Sequence, residues 1–358
     1  MTVFPLVCRF TSAQVRKSAQ VFANLLSAPS GEQVLKETCL GLCQLFGDGI
    51  QNERIQAILD AAVVPRLVAL LQTAVAAPSY PQPPASQGAS GATWSEDLGS
   101  GSSQMPVSVS FSAVVPAVQS AALQVIGNIA CGDDRQTQVI IDCAALPCLR
   151  ELLTSHERGI RKECCWIVSN ITESAHQVKD VLDAGILPPL LRLVECQDTA
   201  CREDATWGLY NITANRDSGQ IAVLAELGGV RALCGLLHCT KELDVLWKGC
   251  STVAAVALKG IRNILAVGES DAGAMTAADA AANRRGAASA LNRMAAYVAD
   301  AHGVERIEAL MTHGSPDVRT RARGVLQGFF GTEPQPLADV GPVVVIGPGG
   351  QAVSHEGG

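Results

Sequence analysis

Apolar residues fall into one frame at four places along the chain: VVPRLVALL (63–71), ALPCLRELL (145–153), ILPPLLRLV (186–194) and GVRALCGLL (229–237). In each, a Pro or Arg is followed five and six positions later by a pair of apolar residues, and Leu recurs at three- and four-residue intervals. That spacing gathers the apolar side chains into one helical stripe, and Pro near the first turn suits a helix start. The frame positions Pro147, Pro188 and Arg231 lie 41 and 43 residues apart, and Pro65 precedes Pro147 by 82, two periods. Between the markers the same order returns: a polar loop, a short helix, a small residue, a longer apolar helix, then a third helix. No such unit buries its apolar face alone, so the pattern predicts stacked units sharing one core.

The third helix carries its own marker. KECCWIVSNIT and EDATWGLYNIT place Trp166 and Trp207 41 residues apart, each four residues ahead of an Asn, Asn170 and Asn211. Only four Trp occur in 358 residues, so two in matching frames are not an accident. One period earlier stands Asn128, with Gln124 at the Trp position, and after Asn211 comes Asn263, with Lys259 there. Trp247 lies 40 residues beyond Trp207 but is followed four residues later by Ser251, and reads as part of a short insertion.

Three helices per 41–43 residues is the armadillo pattern, against 34 for two-helix tetratricopeptide units. The expected architecture is all-α: an armadillo-repeat right-handed solenoid (an α-α superhelix) over residues 12–330, of about six units with the first one partial. Three segments break the pattern. Residues 78–112, rich in Pro, Gly and Ser, read as a disordered insert within a repeat. Residues 268–285 read as a loop or weak Ala-rich helix, and 331–358 as a disordered tail.

Composition narrows the function. The chain is 48% hydrophobic but 4% aromatic, which suits helix-on-helix packing, and its formal charge of −7 argues against duplex nucleic acid as a ligand. An acidic surface attracts basic partners instead. Thirteen Cys, several inside apolar helical runs, form no C-x-x-C pair and have no His at zinc spacing. They read as buried thiols in a reducing compartment, and no metal or cofactor is expected. MTVFPLVCRFTSAQ is a poor signal peptide, broken by Arg9. No run of about 18 apolar residues is present to span a membrane. The expected compartments are cytoplasm and nucleus, where the N-I-T triplets at Asn170 and Asn211 stay unglycosylated.

The repeated pairs specify a chemistry. Residues i and i+4 of a helix share a face, so stacking aligns Trp166–Asn170 and Trp207–Asn211 along one groove. An Asn amide donates to a peptide carbonyl and accepts from a peptide N–H, so a row of them holds an extended chain by its backbone. Slots between Trp rings fit an aliphatic stem, and a cation over an indole face gains about 0.5–2 kcal/mol. Glu163 and Asp204, each three residues before its Trp, put carboxylates on the same face. The groove is suited to an extended peptide bearing Lys or Arg. No catalytic constellation appears: Ser169 and Thr172 have no base at a matching place, and His156, His176 and His238 stand alone. The readings carried forward are a peptide receptor and, as the alternative, an armadillo scaffold that docks a structural partner.

ALQVIGNIACGDDRQTQVIIDCAALPCLRELL, KECCWIVSNIT, EDATWGLYNIT and HGVERIEALMTHGSPDVRTRARGVLQGFF resemble the importin-α (karyopherin-α) family, armadillo receptors for nuclear localisation signals. The resemblance covers most of residues 18–330. It implies a non-enzymatic receptor for basic, signal-bearing cargo in nuclear import. The Asn128, Trp166 and Trp207 helices resemble the sixth, seventh and eighth repeats, the family's minor signal-binding site. Carried over position by position, the resemblance assigns cargo contact to Asn128, Thr137, Glu163, Trp166, Ser169, Asn170, Asp204, Trp207 and Asn211. It implies importin-β as partner only where a basic N-terminal segment exists, and a surface for a nuclear export factor. By that resemblance the sequence shows no such segment and starts inside the fourth repeat, so a fragment or a divergent relative is expected. Leu40 and Gln44 replace the Trp and its partner in KETCLGLCQLF.

Overall fold

The computed structural model describes residues 10–47, 52–75, 115–237, 248–281 and 292–331. Within these residues the chain is helical, without strands. Two helices open it, α1 (Ser12–Ser27) and α2 (Glu32–Phe46). Triplets follow: α3 (Asn52–Leu59), α4 (Val64–Val75) and α5 (Val115–Ala130); α6 (Asp134–Asp142), α7 (Ala145–Leu152) and α8 (Arg158–Ile171); α9 (Ala175–Asp183), α10 (Leu187–Val194) and α11 (Thr199–Ala214). Two more complete the series: α12 (Ser218–Glu226), α13 (Gly229–Leu236) and α14 (Lys248–Ala281); then α15 (Arg293–Asp300), α16 (Gly303–Ala309) and α17 (Pro316–Val325). The expected insert at 78–112, Trp247 and the tail beyond Gly331 lie outside the described residues.

The third helices pack in sequence, α2 on α5, α5 on α8, α8 on α11, α11 on α14 and α14 on α17. They form one column, and the shorter helices stack beside it, α4 on α7 and α10 on α13 among them. One apolar core runs through all the units, from Val15 to Leu326. That is the arrangement the frame of Leu pairs demands: Leu149, Leu190 and Leu233, equivalent positions of three units, are all inaccessible to solvent. Each additional buried Leu of this kind stabilises the fold by about 1.5–3 kcal/mol.

Within each triplet the first and second helices meet at a sharp corner, 73° between α3 and α4 and 76° between α12 and α13. The corner turns on one residue with left-handed backbone: Ala62, Ala144, Gly185, Gly228 and His302. The small residue of the sequence pattern is this pivot. Glycine takes the conformation freely, whereas the Cβ of Ala62, Ala144 and His302 works against it by roughly 1–2 kcal/mol each, offset by the packing that the corner permits.

The expected longer second helix is seen at α4, twelve residues against eight in α3, but not at α10, eight residues against nine in α9. Residues 268–281, open between loop and helix in the sequence, continue α14, which runs 34 residues without a break. Among the described residues no single helix is long and apolar enough to cross a membrane.

Candidate functional site

The column of third helices carries the Trp and Asn side chains in register. Trp166, Asn170, Trp207 and Asn211 are half-buried, as are Asn128, Asn263, Gln124 and Lys259 at the equivalent positions. Each indole therefore shows part of itself to solvent while its inner edge is packed. Gly127 makes the room for Trp166: a Cβ there would stand 2.2 Å from ring carbon Cζ3. Gly208 packs at van der Waals range of the Ser169 Cα, holding α11 close to α8.

The Asn side chains have a second connection that spacing alone does not reveal. Asn211 Nδ2 donates to the Ser169 carbonyl of the preceding unit at 2.9 Å. Asn170 Nδ2 donates to Cys131 Sγ at 3.3 Å, Asn263 Nδ2 to Thr213 Oγ1 at 3.2 Å, and Asn128 hydrogen-bonds Cys43. Every rung thus reaches back one unit. An amide has two N–H donors and an oxygen with two lone pairs, so each Asn retains a donor and an acceptor for a ligand backbone.

Trp207 has company. Tyr210, on the same helix, meets it edge-to-face at 5.7 Å between ring centroids. The Lys259 ammonium from the next unit sits 5.8 Å from the Trp207 ring centre and 5.7 Å from that of Tyr210. The chain fills one aromatic slot with its own cation.

The two carboxylates expected on this face are half-buried. Burial, followed by repulsion from Glu203, pushes the Asp204 carboxyl up to about 6. Burial also raises the Glu163 carboxyl, against the pull of Lys162. Both are acids partly stripped of water and short of a positive partner, which an incoming ammonium or guanidinium would supply.

Thr137 and Ser169 are placed differently. Both are buried, Thr137 giving its hydroxyl to the Asp133 carbonyl at 3.0 Å and Ser169 to the Trp166 carbonyl at 2.8 Å. The seven others of the nine sequence-selected residues share the half-buried face.

Several residues that support this face escaped the sequence reading. Gln136 and Gln177, 41 residues apart, are buried, and each donates to a backbone carbonyl of the previous unit, Asn52 and Asp134, at 2.8 Å. Arg161 and Arg202, five residues ahead of Trp166 and Trp207, hold the loop carbonyls before their own helix, Ser155 at 2.8 Å and Cys196 at 2.7 Å. Asp198 caps α11 by accepting from Ala200 and Cys201, and its other oxygen takes Arg158 across the unit boundary. The 41-residue recurrence of Gln and Arg was the signal available.

Cys39, Cys43, Cys131, Cys143, Cys148, Cys164, Cys165, Cys196, Cys201 and Cys234 are free thiols. Burial pushes the Cys39 and Cys234 thiols up to about 12, so they stay protonated and inert as nucleophiles. Among the described residues no group of three or more His, Cys, Asp or Glu is placed to hold a metal ion.

Comparison with known proteins agrees with the armadillo fold. The Armadillo/beta-catenin-like repeat model matches residues 133–173 and 174–214, the two units that bear Trp166 and Trp207. Importin subunit alpha-1b of Oryza sativa subsp. japonica is 32% identical over 88% of this chain and 48% of its own length. Importin subunit alpha-7 of Arabidopsis thaliana is 36% identical over 88% of this chain and 50% of its own. The chain thus spans about half the length of the curated relatives it matches. Solved structures share the fold: computationally designed armadillo repeat proteins for modular peptide recognition align with a TM-score of 0.62 at 23% identity, over 87% of this chain and 99% of theirs. A designed armadillo repeat protein in complex with peptide (KR)4 aligns at 0.60 with 24% identity, over 87% of this chain and 99% of its own.

Proposed function

We propose that the third-helix face of this chain, which is similar to importin α subunits over most of its length, binds extended Lys/Arg-rich peptides of the nuclear-localisation-signal type. The observation that carries this reading is the Lys259 ammonium lying over Trp207 and Tyr210. The aromatic face already accepts the group that a cargo lysine would bring. In the slot between Trp166 and Trp207 the stem of a Lys or Arg packs on indole while its charge approaches Glu163 and Asp204. Asn128, Asn170 and Asn211 hold the peptide backbone through the donors and acceptors left to them, so side-chain sequence matters at the slots and little between them. Thr137 and Ser169 contribute from beneath, shaping the helix rather than presenting a hydroxyl. The binding is of the family's minor-site type, and the protein works as a cargo receptor, without catalysis, in cytoplasm and nucleus.

The inter-unit bonds of the four Asn favour one other reading: a ladder that serves only to join units, in an armadillo scaffold without import activity. One titration separates the two. A labelled Lys/Arg-rich peptide is added to the protein and to its Trp166→Ala/Trp207→Ala variant, with circular dichroism as the folding control. Saturable binding by the parent, lost in a helical variant, is the result expected. A folded parent that does not bind, or a variant that binds as well, refutes the receptor and leaves the scaffold.

A further inference from the structure

The ladder reverses its charge at the third rung. Glu163 with Trp166 is followed by Asp204 with Trp207, but the next equivalent pair is Val256 with Lys259. Val256 is buried, so carboxylate and aromatic ring are both gone, and a cation stands in the Trp position. Arg262 then occupies the place of Ser169 and Tyr210, ahead of Asn263. Across from them α17 brings Arg321 and Thr320. Between α14 and α17 these side chains enclose a pocket of about 480 Å³, with Tyr210 on its wall linking it to the Trp207 rung.

The charges do not cancel. Asp317 pairs with Arg321 at 2.8 Å, and its carboxyl is held below the usual range first by that bond and in smaller part by the fields of Arg321 and Lys259. Asp317 therefore acts on two cations, Arg321 and Lys259, while Arg262 is exposed and paired with no carboxylate among the described residues. A cavity offering two guanidinium groups, an ammonium and an Asn amide is built to take a multi-oxygen anion, since guanidinium forks bind such oxygens two at a time. Duplex nucleic acid does not fit a recess this small within a chain of charge −7.

We infer that this pocket is an anion subsite continuing the peptide groove, and that it takes the phosphate or carboxylate of a peptide side chain lying beyond a Lys/Arg-rich segment. The inference rests on the peptide reading above. The preferred ligand then has two parts, cations for the Trp166 and Trp207 rungs and an oxyanion for the Lys259, Arg262 and Arg321 rung. Phosphoserine is taken better than glutamate, because its higher charge and three oxygens engage more donors.

The test uses the full chain and three versions of one Lys/Arg-rich peptide, extended at either end by serine, phosphoserine or glutamate. Parent, Arg262→Ala and Arg321→Ala proteins are titrated with each. At one of the two ends phosphoserine is expected to tighten binding to the parent about five-fold or more over serine, with a smaller gain for glutamate. Arg262→Ala, a change at an exposed position, is expected to remove most of that gain while leaving the serine peptide's affinity unchanged or slightly improved. No gain at either end, or an equal gain in Arg262→Ala, overturns the subsite. If the serine peptide itself fails to bind, the groove reading falls, and inorganic phosphate is titrated alone against tryptophan fluorescence. A saturable change that Arg262→Ala abolishes then keeps the pocket as an anion site; no change removes it too.

Discussion

Replacing Lys259 by alanine should make the protein a better binder of basic peptides. The Lys259 ammonium stands 5.8 Å from the Trp207 ring centre and 5.7 Å from that of Tyr210. At a half-exposed site each such contact is worth about 0.5–1 kcal/mol, and a peptide cation that takes the place must first displace it. If the peptide cation settles beside Lys259 instead, two like charges about 6 Å apart repel by about 0.7 kcal/mol at the dielectric of water. Either route obstructs by about 1 kcal/mol, so Lys259→Ala should tighten binding by about three- to tenfold, less at high salt, where the repulsion is screened. The helix should tolerate the change, since alanine is the strongest helix former. Fluorescence anisotropy with a peptide of eight alternating Lys and Arg residues measures the effect. A short peptide confined to the slot between Trp166 and Trp207 serves as control and should respond little. Weaker or unchanged binding of the long peptide refutes the reasoning: Trp207 would then lie outside the binding face, or Lys259 would help rather than obstruct.

Gly127→Ala should push the Trp166 ring aside, because the new Cβ falls 2.2 and 2.7 Å from two ring carbons. Overpacking of about 1–3 kcal/mol outweighs the helix gain of about 1 kcal/mol, so urea midpoint and peptide affinity should both fall. Gly159→Ala, with open space at its Cβ, should leave affinity alone; equal loss in both variants would contradict the packing account. Peptide affinity should fall as pH drops through about 6, where Asp204 takes up a proton and loses its attraction for the ligand. The same raised value means that the fold binds this proton more tightly than the unfolded chain, so Asp204 on its own makes the protein more stable as pH falls from about 6 towards 4. Binding constants between pH 5 and 8 for the parent and Asp204→Asn check this; identical slopes would refute it. Asp198→Ala should cost about 1–2 kcal/mol in chemical denaturation by uncapping α11, and more through the lost link to Arg158. Because that link holds the Asp198 carboxyl below its ordinary value, its contribution is present at neutral pH and disappears in acid. A urea midpoint unmoved by the substitution at pH 7 would refute both roles.

The architecture was legible because a repeated unit writes its period into every layer. Pro65, Pro147 and Pro188 mark the second helices, and Trp166 with Trp207 the third. Helical spacing then sufficed to put Trp, Asn and the two carboxylates on one face. What spacing does not give is the direction in which a polar side chain uses its bonds. Thr137 and Ser169 lie in the right register yet turn their hydroxyls onto their own helices. Gln136 and Gln177 repeat as regularly as the tryptophans, but glutamine is ordinary on a helix surface and its burial shows only when units stack. Lys259 was visible as a departure from the Trp pattern. That its stem carries the charge back over Trp207 depends on how α14 is set against α11.

The acceptors of the joints have a consequence for how such a chain can grow. Asn211, Gln136 and Gln177 each seize a main-chain carbonyl of the preceding unit. A carbonyl is supplied by every residue type, so these joints ask little of the neighbour's side chains, Gln177 alone adding a longer contact to the Gln138 amide oxygen. A duplicated or transplanted unit would find its fastener ready wherever it was spliced in, provided the length of 41–43 residues was kept. The rungs that meet the ligand are then free to diverge one at a time, from indole and carboxylate at one to ammonium and guanidinium at another, without unmaking the seam that holds them in line.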